Sequence, residues 1–306
     1  MDVTSGILFV DKDGGMTSHD VVASVRRALG TRKVGHAGTL DPMATGLLVL
    51  GVNSSTRLLT YLVGLDKEYR ATIRLGASTS TDDREGETLS TVDPASLAAI
   101  TDSDIQQQIG RLTGTIQQVP SSVSAIKVDG RRAYALARAG EEVVLQSRTV
   151  VIAAFEILAR RNVVGEELSA RFVDLDVRVE CSSGTYVRAL ARDLGARLGV
   201  GGHLTALRRT RIGPFTIQDA ATLDAPDLPA RLVAPTAIAR SLFPVFELDG
   251  AQSLDLSHGK RITASDSPDG APVAAVSPDG RLIGLVEVVA GVARPIVNFP
   301  SDEVLA

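Results

Sequence analysis

From Val173 to Cys181 the chain alternates without a break. Val173, Leu175, Val177, Val179 and Cys181 are apolar, and Asp174, Asp176, Arg178 and Glu180 between them are charged. A period of two places successive side chains on opposite faces of a pleated strand, so this segment demands a core on one side and water on the other. Ser182–Gly184 then turns the chain, and Val187, Leu190, Ala191, Leu194 and Leu198 recur at helical spacing over 186–198. Strands and helices mix elsewhere without strict βαβ alternation. The expected class is therefore α+β with a mixed or antiparallel sheet, not a doubly wound fold.

The other elements read as follows. Ile7–Asp11 is a strand broken by Gly14 and Gly15. Thr17 or Ser18 caps a helix over 19–29, which Gly30 ends. A glycine-rich loop covers Thr31–Asp41, and Leu47–Val52 is an apolar strand or short buried helix. Arg57–Val63 reads as helix, Tyr69–Leu75 as strand, 76–95 as loop and 96–112 as helix. Strand-like runs follow at 115–119, 123–128 and 149–158. Within a basic insertion at about 121–148, the alanine-rich segment 130–142 reads as helical. The Pro-, Ala- and Asp-rich stretch 224–244 reads as containing a linker. Beyond it, Pro278-Asp279-Gly280 between Val273–Ser277 and Leu282–Val289 is a hairpin signal. These features predict a large domain over 1–240 and a small all-β domain over 245–306.

Charge is unevenly spread along the 306 residues. The net charge is −4, yet windows 20–40, 127–138 and 186–211 carry +3, +3 and +5, leaving −15 on the rest. Such a division lets an acidic protein present a basic face to nucleic-acid phosphates. One cysteine, Cys181, excludes an internal disulfide framework and fits a reducing cytoplasm. Cys181 continues the apolar face of its strand and reads as core. Four scattered histidines give no metal-ligand spacing, so no metal is expected. No phosphate-loop, dinucleotide or nucleophile-elbow motif occurs, and no cofactor is expected. The start lacks a secretory pattern, and the apolar run Leu47–Leu50 is far too short to span a bilayer, so no membrane association is expected.

The segment with most chemical content is Gly35-His36-Ala37-Gly38-Thr39-Leu40-Asp41-Pro42-Met43-Ala44-Thr45-Gly46. Its glycines let backbone approach a ligand or take positive φ. Local chemistry alone favours Asp41 as a helix N-cap with Pro42 at N1, and His36 as an ordinary loop histidine. Lys67-Glu68-Tyr69-Arg70 opens a strand with an aromatic residue between charges. Arg188 falls in the first turn of its helix, where a cation opposes the helix dipole. That position calls for a carboxylate or phosphate partner.

In chain order these segments resemble the motifs of TruB-type pseudouridine synthases. Gly35–Pro42 resembles the catalytic motif, and Asp11–Ser18, with Lys12, the opening lysine motif. Lys67-Glu68-Tyr69 is similar to the active-site tyrosine segment, and Cys181–Arg188 to the active-site arginine segment. His203–Thr210 is similar to a later hydrophobic and basic motif. The likeness runs from about residue 5 to about 217, and the remaining segment resembles the family's PUA-like RNA-binding domain. The resemblance implies isomerisation of a uridine in the T-arm loop of tRNA, usually uridine-55, by a monomer without cofactor or obligate protein partner. It implies Asp41 as catalytic carboxylate, Arg188 as its ion-pair partner, and Tyr69 as the ring stacked on the uracil. Tyr186 and Leu207 would wall the pocket, and His36 would fill the space left by a flipped base. Lys12, Lys67, Arg32, Lys33, Arg131, Arg132, Arg208, Arg209 and Arg211 are the expected RNA contacts. A guide-RNA-dependent synthase subunit and a non-catalytic RNA-binding or RNA-folding protein are the alternatives.

Overall fold

A computed structural model describes residues 5–121, 127–128, 131–132, 145–165, 171–265, 267 and 269–300. Its contacts divide the chain into two units. One comprises 1–42, 46–63 and 214–306, and the other 43–45 and 64–213.

In the first unit, strand Gly6–Lys12 runs antiparallel to Thr45–Val52, and the short strand Val34–His36 also pairs with Thr45–Val52. Leu47 to Leu50 and Val52 are all fully buried. A strand flanked by partners and covered on both faces has no polar side to show, which is why its sequence lacks alternation. Helix Ser18–Leu29 lays Val21, Val22, Val25 and Leu29 against Leu8, Val10, Leu48 and Leu50. Thr17, not Ser18, is its cap, in a reciprocal capping box with Asp20. The expected linker is instead structured: after a short 3₁₀ turn, helix Pro235–Leu242 starts with its proline at the first position.

The C-terminal sheet has five strands, in the order Val245–Glu247, Gly270–Val276, Leu282–Val289, Val292–Asn298 and Ile262–Thr263. The Asp279-Gly280 hairpin forms as read, with Gly280 at φ 82°. This module is not purely β. Helix Gly250–Ser257 packs into its core through Leu256, and Asp249 and Gln252 form a capping box at its start.

The second unit is built on an antiparallel sheet. Its strands lie in the order Gly202–Ile212, Lys67–Leu75, Arg171–Cys181, Arg148–Val164 and Gly114–Gln118. Tyr69, Ala71, Ile73, Leu75, Leu175, Val177, Val179 and Cys181 are buried on one face. The other face carries ion pairs between neighbouring strands. Arg74 holds Asp174 at 2.8 Å, and Arg178 holds Glu68 at 2.7 Å, Glu180 at 2.8 Å and Glu156 at 3.3 Å. The expected loop 76–95 contains a hairpin, Ala77–Thr79 with Thr88–Thr91. The expected helix over 96–112 is two helices, Pro94–Ala98 and Asp102–Arg111, capped by Asp93 and Thr101. Arg131–Arg132 pair as a strand with Lys127–Val128, so they are not part of a helix. The rest of the segment expected to be helical lies outside the described residues. Among the described residues no helix is long and apolar enough to cross a membrane.

Helix Val187–Arg197 packs against strand Gly202–Ile212 at a point only glycine fits. A Cβ on Gly195 would stand 2.2 Å from the Gly201 carbonyl carbon and the Gly202 nitrogen, and one on Gly202 would stand 2.5 Å from the Ala191 oxygen. Backbone cannot yield as a flexible side chain does. Gly195→Ala is expected to cost at least about 1–3 kcal/mol, read as a lower urea midpoint with the slope unchanged.

Candidate active site

In the first unit, no helix follows Asp41. Pro42 and Met43 form a turn that leads into strand Thr45–Val52, so the N-cap reading of Asp41-Pro42 is overturned. The half-buried Asp41 sits instead between two clamped residues. Ser18 Oγ donates to the Leu40 carbonyl at 3.1 Å and accepts from the Leu40 N–H at 2.9 Å. The Pro42 carbonyl accepts from Lys12 Nζ at 3.3 Å and from the Gly15 N–H at 2.9 Å. Lys12 is fully buried, and its ammonium also donates to the Asp13 and Met16 carbonyls at 2.8 and 2.7 Å. A buried cation is tolerable when several oxygens replace its water, and here those oxygens belong to the loop packed beside the Asp41 turn. Ser18, which sequence reading took only as a possible cap, is the other clamp.

His36 ends its short strand half-buried, opposite Leu50. Its ring meets His19 edge-on at 5.7 Å between centroids. Arg32 and Lys33 are exposed just before that strand.

The second unit holds Tyr69, Arg188, Tyr186, Leu207 and the later arginines. Tyr69 pairs with Val179 on one side and Arg209 on the other, and Leu207 pairs with Ala71. Tyr69 and Leu207 are thus diagonal neighbours on the buried face, a spacing that large side chains bridge. Arg188 is 4 % exposed, in the first turn of its helix. The carboxylate its position calls for is present and comes from Asp83: Arg188 Nη1 lies 3.2 Å from Asp83 Oδ2 and donates to the Thr81 carbonyl at 2.8 Å. Asp83 is equally buried and accepts from the Thr81 hydroxyl at 2.5 Å and the Glu85 N–H at 3.0 Å. Sequence reading missed Asp83 because it lies in an aperiodic Asp-rich loop. The Tyr186 backbone is gripped by the Gln118 side chain, whose Oε1 accepts from Tyr186 N–H at 2.8 Å and whose Nε2 donates to its carbonyl at 3.1 Å.

The expected RNA contacts divide by burial. Lys12, Lys67 and Arg209 lie inside the protein. Arg211 holds Asp66 and Glu180, each at 2.7 Å. Arg208 is half-buried and donates to the Thr45 hydroxyl at 3.4 Å. The side chains of Arg131 and Arg132 lie outside the described residues. Among the described residues no cluster of three or more His, Cys, Asp or Glu could hold a metal ion. Cys181 is core as read, and burial pushes its thiol up to about 11.

Burial, reinforced by the nearby Arg209 charge, lowers the Lys67 ammonium from 10.5 to about 8. Below pH 8 both folded and unfolded chains hold this proton. Between about 8 and 10.5 only the unfolded chain holds it, so stability rises with pH across that window. Urea denaturation should show wild type gaining on Lys67→Met over that range. Asp83→Asn removes the carboxylate charge 3.2 Å from the buried Arg188 guanidinium and should cost about 3–5 kcal/mol, read in the same experiment.

Comparison with known proteins gives a consistent result. The model described as TruB family pseudouridylate synthase (N terminal domain) matches residues 26–187. A tRNA pseudouridylate synthase B C-terminal domain matches 188–245, and a tRNA pseudouridine synthase II C-terminal model matches 243–300. A tRNA pseudouridine synthase B of Leifsonia xyli subsp. xyli is 60% identical over 99% of both chains. One of Nocardia farcinica is 55% identical over 97% of this chain and 94% of its own. Among solved structures, a Cbf5-Nop10-Gar1 complex matches with a TM-score of 0.71 at 24% identity, covering 99% of this chain and 88% of that one. At that identity the likeness speaks to the fold alone.

Proposed function

The chain belongs to the TruB family of pseudouridylate synthases, isomerases that act on RNA, and from that premise we propose that it converts uridine to pseudouridine in tRNA with Asp41 as catalytic carboxylate. The observation that carries the residue assignment is the double clamp around Asp41. Leu40 is held on one side and Pro42 on the other, so the carboxylate is presented by a turn with little freedom left to lose on binding.

The target is uridine-55 in the T-arm loop. A stacked base is out of reach, so the nucleotide is flipped out at a cost of a few kcal/mol, and contacts to the flipped base and the backbone offset that cost. The half-buried His36 fills the vacated space. Asp41 acts on the flipped nucleotide as the N1 glycosidic bond breaks. The uracil turns, C5 is joined to the ribose, the proton leaving C5 passes to Tyr69 or a water beside it, and N1 takes up a proton from water. Substrate and product are isomers, so no group donor or redox partner enters the balance. Arg188 is the catalytic arginine of this reading. A guanidinium has five N–H donors, so holding Asp83 and the Thr81 carbonyl is compatible with that role. Arg32 and Lys33 meet phosphates, while Lys12, Lys67 and Arg209 support the site from within. The enzyme works as a monomer in the cytoplasm, where its substrate is. The guide-RNA-dependent reading is less supported, because relatives at 50–60% identity are tRNA pseudouridine synthase B.

Asp41→Asn is expected to lower turnover on an unmodified tRNA transcript by at least about 10³-fold while tRNA binding and the unfolding midpoint stay near wild type. Pseudouridine mapped at nucleotide resolution reads the product. Turnover at the normal rate would remove the assignment. Tyr69→Phe keeps the ring and removes the hydroxyl, so full activity would leave the phenol without a proton-transfer role.

A further inference from the structure

Asp82 is a non-glycine residue at φ 59°, a conformation that aspartate tolerates better than most residues but that still costs backbone energy. Its neighbours show what the bend achieves. The Thr81 carbonyl before it and the Asp83 carboxylate after it both meet Arg188 Nη1, at 2.8 and 3.2 Å. The Asp82 side chain goes elsewhere. Its Oδ2 accepts from Ser121 Oγ at 2.7 Å and lies 3.3 Å from Arg192 Nη1. Two consecutive aspartates thus hold two arginines of the same helix, Val187–Arg197.

Arg188 and Arg192 are four residues apart, so they lie on the same side of that helix, about 6 Å apart along its axis. A contact at Arg188 alone fixes a point and leaves the helix free to turn about it. A second contact, one turn on, removes that freedom. Arg192 is tied again beyond Asp82, donating from Nη2 to the Val119 carbonyl at 2.7 Å and from Nε to Asp193 at 2.9 Å. The backbone at Asp82 is fixed as well. Its N–H donates to the Thr79 carbonyl at 3.3 Å, and its carbonyl accepts from the Leu204 N–H at 3.0 Å. Burial pushes the Asp82 carboxyl up, against the Ser121 hydrogen bond and the Arg192 and Arg188 charges. Ion pairs taken out of water seldom stabilise a fold over apolar residues of similar size, so the worth of this one lies in geometry.

We propose that Asp82 is a positioning residue for the isomerisation. Paired with Arg192, it holds the bend that sets Thr81 and Asp83 on Arg188, and it fixes the rotation of the helix that carries this arginine. The inference rests on the reading of Arg188 as the catalytic arginine. A turn of about 10° about the helix axis moves an atom about 6 Å from that axis by about 1 Å, and a misplacement of about 1 Å can slow a positioned reaction about a hundredfold.

The test measures the single-turnover rate and the tRNA affinity of the full chain. The proteins are wild type, Asp82→Asn, Arg192→Gln, their double variant, and Arg188→Lys with and without Asp82→Asn. Asparagine tolerates the left-handed backbone and can accept the Ser121 hydrogen bond, so Asp82→Asn removes the charge and leaves the turn. It should slow the chemical step about 10- to 100-fold with tRNA affinity unchanged, at temperatures well below its unfolding midpoint. Arg192→Gln should reproduce that loss, and the double variant should add little to either, because the two side chains act as one unit. In the Arg188→Lys background Asp82→Asn should cost almost nothing further. A wild-type rate in Asp82→Asn, weaker tRNA binding at an unchanged rate, or a loss undiminished in the Arg188→Lys background overturns the proposal and leaves the role of Arg188 standing. A loss that follows the unfolded fraction and vanishes on cooling also overturns it, since Asp82 would then only support the fold. An Arg188→Lys protein as fast as wild type would overturn the reading of Arg188 and the proposal with it.

Discussion

The period-two register of three paired strands governs what each face of the second unit can do. Lys67–Leu75 lies between Arg171–Cys181 and Gly202–Ile212, so a side chain's parity decides its environment. Odd positions from Lys67 to Leu75 meet the core and bring Tyr69 beside Leu207 and Arg209. Even positions meet water and cross-strand charge. A slip of one residue would bury Glu68 and Arg70 and expose Tyr69. The same register that assembles an aromatic site on one face therefore sets up the cross-strand ion pairs on the other. The two bulges in Gly202–Ile212 shift that strand's parity locally.

The buried charges serve geometry more than stability. Arg188 with Asp83 and Lys12 with its carbonyl oxygens are ions taken out of water, and such groups seldom stabilise a fold relative to apolar residues of similar size. What they provide is a fixed direction. Lys12 ties the opening strand to the carbonyl after Asp41, and Asp83 fixes one edge of the Arg188 guanidinium. Lys67 shows the cost of taking a cation out of water: burial, with the Arg209 charge nearby, leaves its proton weakly held.

Where a segment's own pattern carried the information, the fold was legible. Strand Arg171–Cys181 and helix Val187–Arg197 fall within two residues of their alternation and their helical spacing, and Asp279-Gly280 marked its hairpin. Ala77–Thr79 and Thr88–Thr91 were not legible, because small polar residues pair as strands without displaying a face. At Asp41-Pro42 the local rule favoured a helix, and the pull of the buried strand Thr45–Val52 prevailed. For Arg188 the need for a carboxylate was legible, but the presence of Asp83 beside it was not, since only the tertiary fold brings that residue alongside. Charge windows overstated the basic face. They count Arg188, Arg192 and Arg211 as free cations, although Asp83, Asp82, Asp193, Asp66 and Glu180 hold them, and they cannot see that Arg209 is inside.

The contact at Gly195 and Gly202 has a mechanical consequence. Arg188 sits two turns up the same helix, about 10 Å from that seat. Where backbone rests on backbone, the seat works as a fulcrum: a tilt of about 5° there sweeps the guanidinium through about 1 Å, a displacement able to slow a positioned reaction a hundredfold. The aim of this arginine is thus set at a distance, by two residues that have no side chains at all.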